Sequence, residues 1–267
     1  HFEKMLYDNA QLMEAYLVGY QLTKNEDYLT VISQILEWLK DEMIDKEGGF
    51  YSSMDADSEG VEGKYYVWNP EEIEGVLSEN DAKIFNQYYD ISKTGNWEGN
   101  SIPNVIMKRS SLSTLLKITE IEISSSLEKS RLAIKEHRKS RIAPSTDDKI
   151  IVSWNGLMIS SLAKVSAFLD DKEYLEIADR AVSFIVDKMS KDDGSLNRVY
   201  RDNLSHIDAF AEDYSYFGNA LIDMYEASFD SKYLELSKKY ADILVDKFFS
   251  DGYFKQSLSK NMVINSV

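Results

Sequence analysis

One arrangement of residues occurs three times in this chain and constrains its fold more than any other feature. A Tyr-Leu pair begins twenty positions after Asp8, after Trp154 and after Asp213. Each pair is followed, roughly twenty residues later, by a loop that contains glycine. A unit of helix, short turn, second helix and glycine loop is typical of stacked helical hairpins, because one hairpin is too thin to bury its own apolar face.

Apolar residues within each copy follow the three- and four-residue spacing of a helix. The first stripe consists of Leu6, Ala10, Met13, Leu17 and Tyr20. With three prolines and no alternation of strands and helices, the chain is predicted to be all-α, with eight principal helices in four hairpins. The eight include helices over 69–89, where Asn69 is the predicted N-cap, and over 111–139. Any β structure is expected to be minor, as a hairpin between residues 50 and 68.

The balance of charges excludes several kinds of partner. The chain has 267 residues, enough for one domain over residues 1–267, and a net charge of −16. Nucleic acids and anionic membranes attract clustered basic residues, so neither is expected as a partner. The longest uncharged stretch, residues 150–163, is too short to span a bilayer.

The chain contains no cysteine. Disulfides, thiolate nucleophiles and cysteine-based metal sites are therefore excluded. This composition fits a reducing compartment, and a cytoplasmic location is expected. Neither a GxGxxG nor a Walker pattern is present, and no cofactor is expected.

The connections between the repeats are long and the turns within them are short, so the long loops should gather at one end of the helices. If the first helix of each hairpin lines a ring, the positive N-terminal helix ends surround one cavity there. Carboxylates, amides and aromatic rings near such a cavity suit a polyhydroxylated ligand. The residues at three of these N-termini are Asp8, Trp154, Asn155, Asp213 and Tyr214.

Several short segments resemble, in the same order, the landmarks of one protein family. They are HFEKMLYD at 1–8, GGFY at 48–51, DADSEG at 55–60, EGKYYVW at 62–68, GNWEGN at 95–100, DDKI at 147–150 and SWNGLM at 153–158. The family is the thioredoxin-domain-containing family related to the spermatogenesis-associated thioredoxin-like protein. In it, an N-terminal thioredoxin-like domain precedes a helical toroid similar to N-acylglucosamine 2-epimerases and six-hairpin glycosidases.

The resemblance implies that this chain is the toroid portion of a longer protein, without its N-terminal thioredoxin-like domain. That domain is then an expected partner. A complete toroid of this kind has six hairpins and four are predicted here, so a partial ring is expected. The resemblance implies much about the fold and little about the activity, because the function of the family is poorly defined.

An acidic loop follows the first hairpin. Asp55, Asp57 and Glu59 occupy positions 1, 3 and 5 of a calcium-loop pattern. Position 12 is Tyr66 instead of an acidic residue, so no metal site is expected. One interpretation is a carboxylate cluster that lines a pocket beside Lys64, and the other is a solvated acidic turn.

The chain has three histidines, and His1 is the candidate general base. Abstraction of a proton beside a carbonyl needs a base with a pKa near neutral, which histidine provides. The resemblance implies the same role, since similar toroids that act as sugar 2-epimerases use histidine. Glu3 and Lys4 are candidate ligand-binding residues beside it. A capping or structural hydrogen bond is the alternative for His1.

A hydrolase would need two carboxylates facing each other across a sugar, roughly 6.5–9.5 Å apart in inverting enzymes. The candidates for such a pair are Asp55, Asp57, Asp148 and Asp213. The alternative for Asp147 and Asp148 is structural, with one of them paired with Arg141 and the other capping the following segment. Trp68 and Trp154 flank loops at the expected open end and are candidate sugar platforms, with a place in the core as the alternative.

Three hypotheses of function follow. The leading hypothesis is a carbohydrate-binding toroid with epimerase- or isomerase-type acid/base chemistry. The second is an inverting glycoside hydrolase, and the third is a non-catalytic module that partners the thioredoxin-like domain. The candidate catalytic residues are His1, Asp8, Asp55, Asp57, Asp148 and Asp213. The candidate substrate-binding residues are Glu3, Lys4, Glu59, Lys64, Trp68, Trp154, Asn155 and Tyr214.

Overall fold

A computed structural model describes residues 2–258. The described chain forms two compact units. The hairpin unit comprises residues 4–54 and 146–258, and the insert unit comprises residues 2–3 and 55–145. The prediction of one domain over 1–267 stays a prediction.

The described residues form ten α-helices and nine short strands. The helices are α1 (Leu6–Thr23), α2 (Glu26–Trp38), α3 (Pro70–Val76), α4 (Glu79–Tyr88), α5 (Arg109–Leu116), α6 (Glu120–Arg138), α7 (Val152–Leu169), α8 (Lys172–Met189), α9 (Ala211–Ser228) and α10 (Ser231–Phe248). The strands are β1 (Lys4–Met5), β2 (Tyr51–Met54), β3 (Asp57–Ser58), β4 (Val61–Glu62), β5 (Thr146–Ile151), β6 (Asn197–Arg201), β7 (Leu204–Asp208), β8 (Phe249–Ser250) and β9 (Tyr253–Phe254). No helix within residues 2–258 is long and apolar enough to cross a bilayer.

The hairpin unit contains three helical hairpins, α1–α2, α7–α8 and α9–α10, and all three turn in the same way. The first helix ends on a residue with left-handed backbone angles, with φ of 55–57°: Lys24, Asp170 and Phe229. The next residue caps the second helix, and its side-chain oxygen accepts a backbone N–H two positions later: Asn25, Asp171 and Asp230. The tyrosine of each Tyr-Leu pair is the third residue of the second helix. These three predicted hairpins are confirmed.

Helix α7 lies at the centre of the hairpin unit and packs against α8, α1 and α9. Its contact with α9 is very close at Gly156, where an added Cβ would lie 2.8 Å from the carbonyl carbon of Tyr216. On α1, the predicted stripe of Leu6, Ala10, Met13 and Leu17 is buried in the core. Burial of a side chain the size of leucine or methionine contributes about 1.5–3 kcal/mol, so this packing holds the helices together.

A five-stranded antiparallel sheet has the strand order β1-β2-β5-β6-β7. Strand β1 precedes the first hairpin, and the other four lie in the connections between hairpins. In its register, Tyr51 pairs with Ile150, and Ile150 pairs with Tyr200. The predicted hairpin over 50–68 is therefore wrong in its pairing, since β2 pairs with β1 and β5. The tight hairpin in that region is β3–β4, in which Asp57 pairs with Glu62. The alternation of residues did not reveal the sheet, because its strands are short and most paired strands are far apart in the sequence.

The insert unit contains four shorter helices where two long ones were predicted. The predicted helix over 69–89 is interrupted at Leu77, whose ψ of 160° is extended, and Ser78 caps the next helix. The predicted helix over 111–139 is interrupted at Lys117, which has a φ of 57°. The predicted cap at Asn69 is confirmed as part of a capping box. The prediction of eight helices in four hairpins is thus wrong for the described residues.

Candidate functional site

The first helices of the three hairpins share a second stripe of residues that stays outside the core. The stripe is Tyr7, Gln11, Glu14, Val18 and Gln21 on α1, Trp154, Leu157, Ser160, Lys164 and Phe168 on α7, and Glu212, Tyr216, Asn219 and Asp223 on α9. These residues line three adjoining cavities of about 350, 300 and 380 Å³. Because α7 packs against both other helices, the three stripes form one surface, the inner-helix face.

Aromatic and polar groups meet in the cavity at the N-terminal ends of these helices. The rings of Tyr7 and Trp154 stand edge to face, with centroids 4.8 Å apart. Tyr216 is exposed on the opposite helix, and Glu212 and Gln11 supply a carboxylate and an amide. The cavity therefore offers ring faces together with hydrogen-bonding groups.

A charged cluster lies in the next cavity, one to two helical turns further along. The Nζ atom of Lys164 lies 2.8 Å from Glu14 and 3.7 Å from Asp223, and Ser160 donates a hydrogen bond to Asp223. Burial raises the pKa of Asp223, although Ser160 and Lys164 act in the opposite direction. Burial lowers the pKa of Lys164, but its two carboxylate partners outweigh this and raise it overall. A shifted carboxyl group in a cleft is a candidate functional group.

Asp213 lies behind the wall of the first cavity and is completely buried. Its carboxylate accepts the backbone N–H groups of Ser153, at 3.0 Å, and Phe210, at 2.8 Å. Arg198 donates to the same carboxylate at 2.8 Å and also pairs with Glu212 at 2.7 Å. Burial raises the pKa of Asp213, against the effect of these hydrogen bonds and of Arg198. The side chain thus joins the N-termini of α7 and α9 to β6.

Two more of the candidate binding residues are buried and hydrogen-bonded to backbone. The amide of Asn155 donates to the carbonyl groups of Phe50 and Ile151 and accepts the N–H of Phe50 at 2.8 Å. The hydroxyl of Tyr214 accepts the N–H of Leu196 at 2.9 Å. Both side chains hold loops against the helices, and neither lines the three cavities.

The other candidates in the hairpin unit lie outside these cavities. Asp148 forms an ion pair with Arg201 at 2.8 Å, whereas Arg141, the partner expected in the structural alternative, pairs with Glu72. Asp8 is exposed in the first turn of α1, and Lys4 is half-buried in β1. Trp154 is thus the one candidate residue that lines the inner-helix face among the described residues.

The remaining candidates belong to the insert unit. Asp55 accepts the N–H of Asp57 at 3.1 Å, and both residues are exposed. Glu59 and Lys64 form an ion pair of 2.5 Å at the rim of a cavity of about 370 Å³. Within residues 2–258, no cluster of three or more acidic or histidine side chains could hold a metal ion.

Trp68 is part of the core of the insert unit. Its side chain is 3% exposed, and the guanidinium of Arg141 stacks on its ring at 3.8 Å. This agrees with the structural alternative for Trp68. Glu3 is exposed in the same unit, and His1 lies outside the described residues.

Sequence reasoning missed most of the inner-helix face. The missed residues are Tyr7, Gln11, Glu14, Lys164, Glu212, Tyr216 and Asp223. Their three- and four-residue spacing could have identified them, because each stripe runs beside the apolar stripe of its own helix.

Searches of known proteins relate this chain to one set of relatives. No family model matches the chain. Human spermatogenesis-associated protein 20 is 31% identical over 294 residues, which include 95% of this chain. The chain is homologous to part of that protein. It spans 37% of the length of this human relative. The identity confirms the resemblance recognised from the sequence motifs.

Two solved structures share the fold. Cellobiose 2-epimerase from Bacillus thermoamylovorans matches with a TM-score of 0.55 and 11% identity, over 93% of this chain and 46% of the epimerase. A family 76 glycoside hydrolase, a mannosidase from Bacteroides thetaiotaomicron, matches with a TM-score of 0.52 and 12% identity, over the same shares. The predicted toroid fold of helical hairpins is therefore confirmed. At such identities the likeness concerns the fold alone.

Proposed function

We propose that the inner-helix face binds a carbohydrate. The observation that carries this proposal is the meeting of Tyr7, Trp154 and Tyr216 with a carboxylate and an amide in one cavity. Aromatic rings cover the apolar C–H faces of a sugar, while carboxylate and amide oxygens accept hydrogen bonds from its hydroxyl groups. Both solved structures with the same fold carry the names of sugar-processing enzymes, which supports the proposal.

Epimerase- or isomerase-type chemistry is the leading proposal for activity. Such a reaction needs a group that exchanges a proton near neutral pH. Asp223 is the best-placed group on the inner-helix face, because burial raises its pKa and Ser160 holds its carboxylate. His1 stays a proposed base. Asp213 is proposed as a support of the cavity wall, because its carboxylate is buried and hydrogen-bonded.

An inverting hydrolase is the second candidate. Glu14 on α1 and Asp223 on α9 lie on different helices, and Lys164 binds both carboxylates. Because both bind the same Nζ atom, at 2.8 and 3.7 Å, their bound oxygen atoms lie at most about 6.5 Å apart, the lower limit for an inverting pair. The pKa of Asp223 is raised, which would suit the acid.

The binding proposal is tested by titrating the protein with neutral disaccharides, including cellobiose and mannobiose, and measuring the heat of binding. We expect saturable binding that the substitution Trp154→Ala weakens at least about tenfold, since an aromatic platform would be lost. Phe229→Ala removes an exposed ring from the far end of α9 and is the matched control. Equal affinities of the Trp154→Ala variant and the unaltered protein would contradict the proposal.

Activity is tested on the same sugars. An epimerase should incorporate deuterium from D2O at the carbon beside the carbonyl, whereas a hydrolase should release new reducing ends. Asp223→Asn should abolish either reaction. If neither reaction occurs, the third hypothesis remains, and the full-length thioredoxin-like domain should then bind this chain in trans.

A further inference from the structure

We infer that the carbohydrate bound by the inner-helix face is uncharged, and that sugars carrying a carboxylate are excluded. The inference rests on the proposed function, because it assigns the chemical class of the ligand for that same surface. It follows from the charges that line the cavities and from the partners that those charges already have.

Carboxylates outnumber cations on the inner-helix face. The cavities are lined by the carboxylates of Glu212, Glu14 and Asp223. Among the described residues that line them, Lys164 is the one cation. A ligand carboxylate would therefore enter a surface that is already negative.

Lys164 has little capacity left for a ligand anion. Its Nζ atom lies within 4 Å of both Glu14 and Asp223, so two carboxyl groups of the protein already occupy it. Arg198, which pairs with Glu212 at the wall of the first cavity, also pairs with Asp213. A bound carboxylate would thus have to displace an existing ion pair before it gained a partner of its own.

The net charge of the chain and the hydrogen-bonding groups of the face also favour an uncharged ligand. The whole chain has a net charge of −16, which lowers the local concentration of anions near its surface. Hydroxyl groups, in contrast, donate to carboxylates without any need for a cation. Glu212 and Asp223 can serve such donors, so the face suits a neutral polyol ring.

Matched pairs of sugars test the inference. Glucose is compared with glucuronate, and galactose with galacturonate, by calorimetry at an ionic strength of about 0.1 M, where charges more than about 10 Å apart are largely screened. We expect each uronate to bind at least about tenfold more weakly than its neutral partner, because it meets unbalanced carboxylates in a partly desolvated cavity.

A double variant, Glu14→Gln with Asp223→Asn, releases Lys164 from both partners. The ratio of uronate to neutral-sugar affinity should then rise at least about fivefold, since a free ammonium group becomes available. Glu235→Gln removes an exposed carboxylate on α10 and should leave the ratio unchanged. Circular dichroism confirms folding, and the single variant Glu14→Gln, at a half-exposed position, should shift the ratio in the same direction if the double variant fails to fold.

Each result has a distinct meaning. Uronates that bind the unaltered protein as tightly as their neutral partners overturn the inference and leave the proposed function intact. An unchanged ratio in the folded double variant overturns it as well. If no sugar of either pair and no neutral disaccharide binds, the proposed function itself is wrong.

Discussion

Arg198 and Asp213 form an ion pair of 2.8 Å in which the carboxylate is completely buried. The pair joins β6 to the start of α9, and through the N–H of Ser153 it also reaches the start of α7. Two helix N-termini at the edge of the proposed sugar cavity are therefore fixed by one carboxylate. A buried charge with so many partners is costly to disturb.

Asp213→Ala is expected to destabilise the protein by about 3–5 kcal/mol, because Arg198 and two N–H groups lose their partner. Chemical denaturation measures the loss. Asp242→Ala, which breaks an exposed pair with Lys238, is the control and should cost less than about 1 kcal/mol. Similar effects of the two substitutions would show that the buried pair does not hold the helix ends.

Gly156→Ala is expected to destabilise the protein by about 1–3 kcal/mol, since the added methyl group would meet the backbone of Tyr216 and Phe217 at 2.8–2.9 Å. Gly218→Ala, on the helix opposite, meets no atom within 4 Å. That variant should gain up to about 1 kcal/mol from the higher helix propensity of alanine. Thermal unfolding of the two variants compares them, and loss of stability in both would argue against the close approach of α7 and α9 at Gly156.

Arg141→Lys should loosen the segment around residues 63–68 in the insert unit. The guanidinium donates to the carbonyl groups of Tyr65 and Val67 and to the carboxylate of Glu72, at 2.8–3.1 Å. An ammonium group cannot reproduce this planar set of contacts or the stacking on Trp68, so we expect a loss of about 2 kcal/mol. Amide hydrogen exchange should be faster in this segment. Unchanged protection would contradict the prediction.

Asp223→Asn should raise stability at neutral pH relative to the unaltered protein. The pKa of Asp223 is raised on folding, so the folded protein favours the protonated carboxyl group. The stability that this group adds is fully present below its unfolded-state pKa and is lost as the pH rises through its folded-state pKa. The charged groups that face Asp223 act on this pKa in both directions: Glu14 and Glu226 raise it, and Lys164 lowers it. The advantage of the variant should therefore shrink as the pH falls toward 4, near the usual pKa of an aspartate.

Urea denaturation from pH 4 to pH 8 measures this difference. Glu235→Gln removes an exposed carboxylate on α10, away from Asp223, and is the control. The measured quantity is the free energy of unfolding of the variant minus that of the unaltered protein. A smaller difference at pH 7 than at pH 4 would contradict the prediction.

The sequence predicted the hairpins well because their determinants are local. A cap such as Asn25 and the Tyr-Leu pair at Tyr28 lie within a few residues of the turn that they specify. The breaks at Leu77 and Lys117 in the insert unit were missed, although Ser78 is a good capping residue. Apolar spacing continued across both breaks, and spacing alone does not show where a helix ends.

The site was predicted less well, for a geometric reason. Neighbouring residues on a helix point about 100° apart. Whether a polar residue at a helix N-terminus faces the cavity or the core therefore depends on how the helix is rotated about its axis, which the sequence does not show. Glu212 and Tyr216 face the cavity, whereas Asp213 and Tyr214 are buried. Trp154 lines the cavity, and its neighbour Asn155 bonds to loop backbone.

The strands on either side of the insert unit are direct partners. Met54, the last residue of β2, pairs with Thr146, the first residue of β5. The 91 residues from Asp55 to Ser145 thus connect two directly paired residues of adjacent antiparallel strands, as the loop of a hairpin does. A tight Asn-Gly turn could close the same rung. Shortened in this way, the three-hairpin scaffold should keep its strand register, and the excised segment could vary in length among relatives without moving a helix.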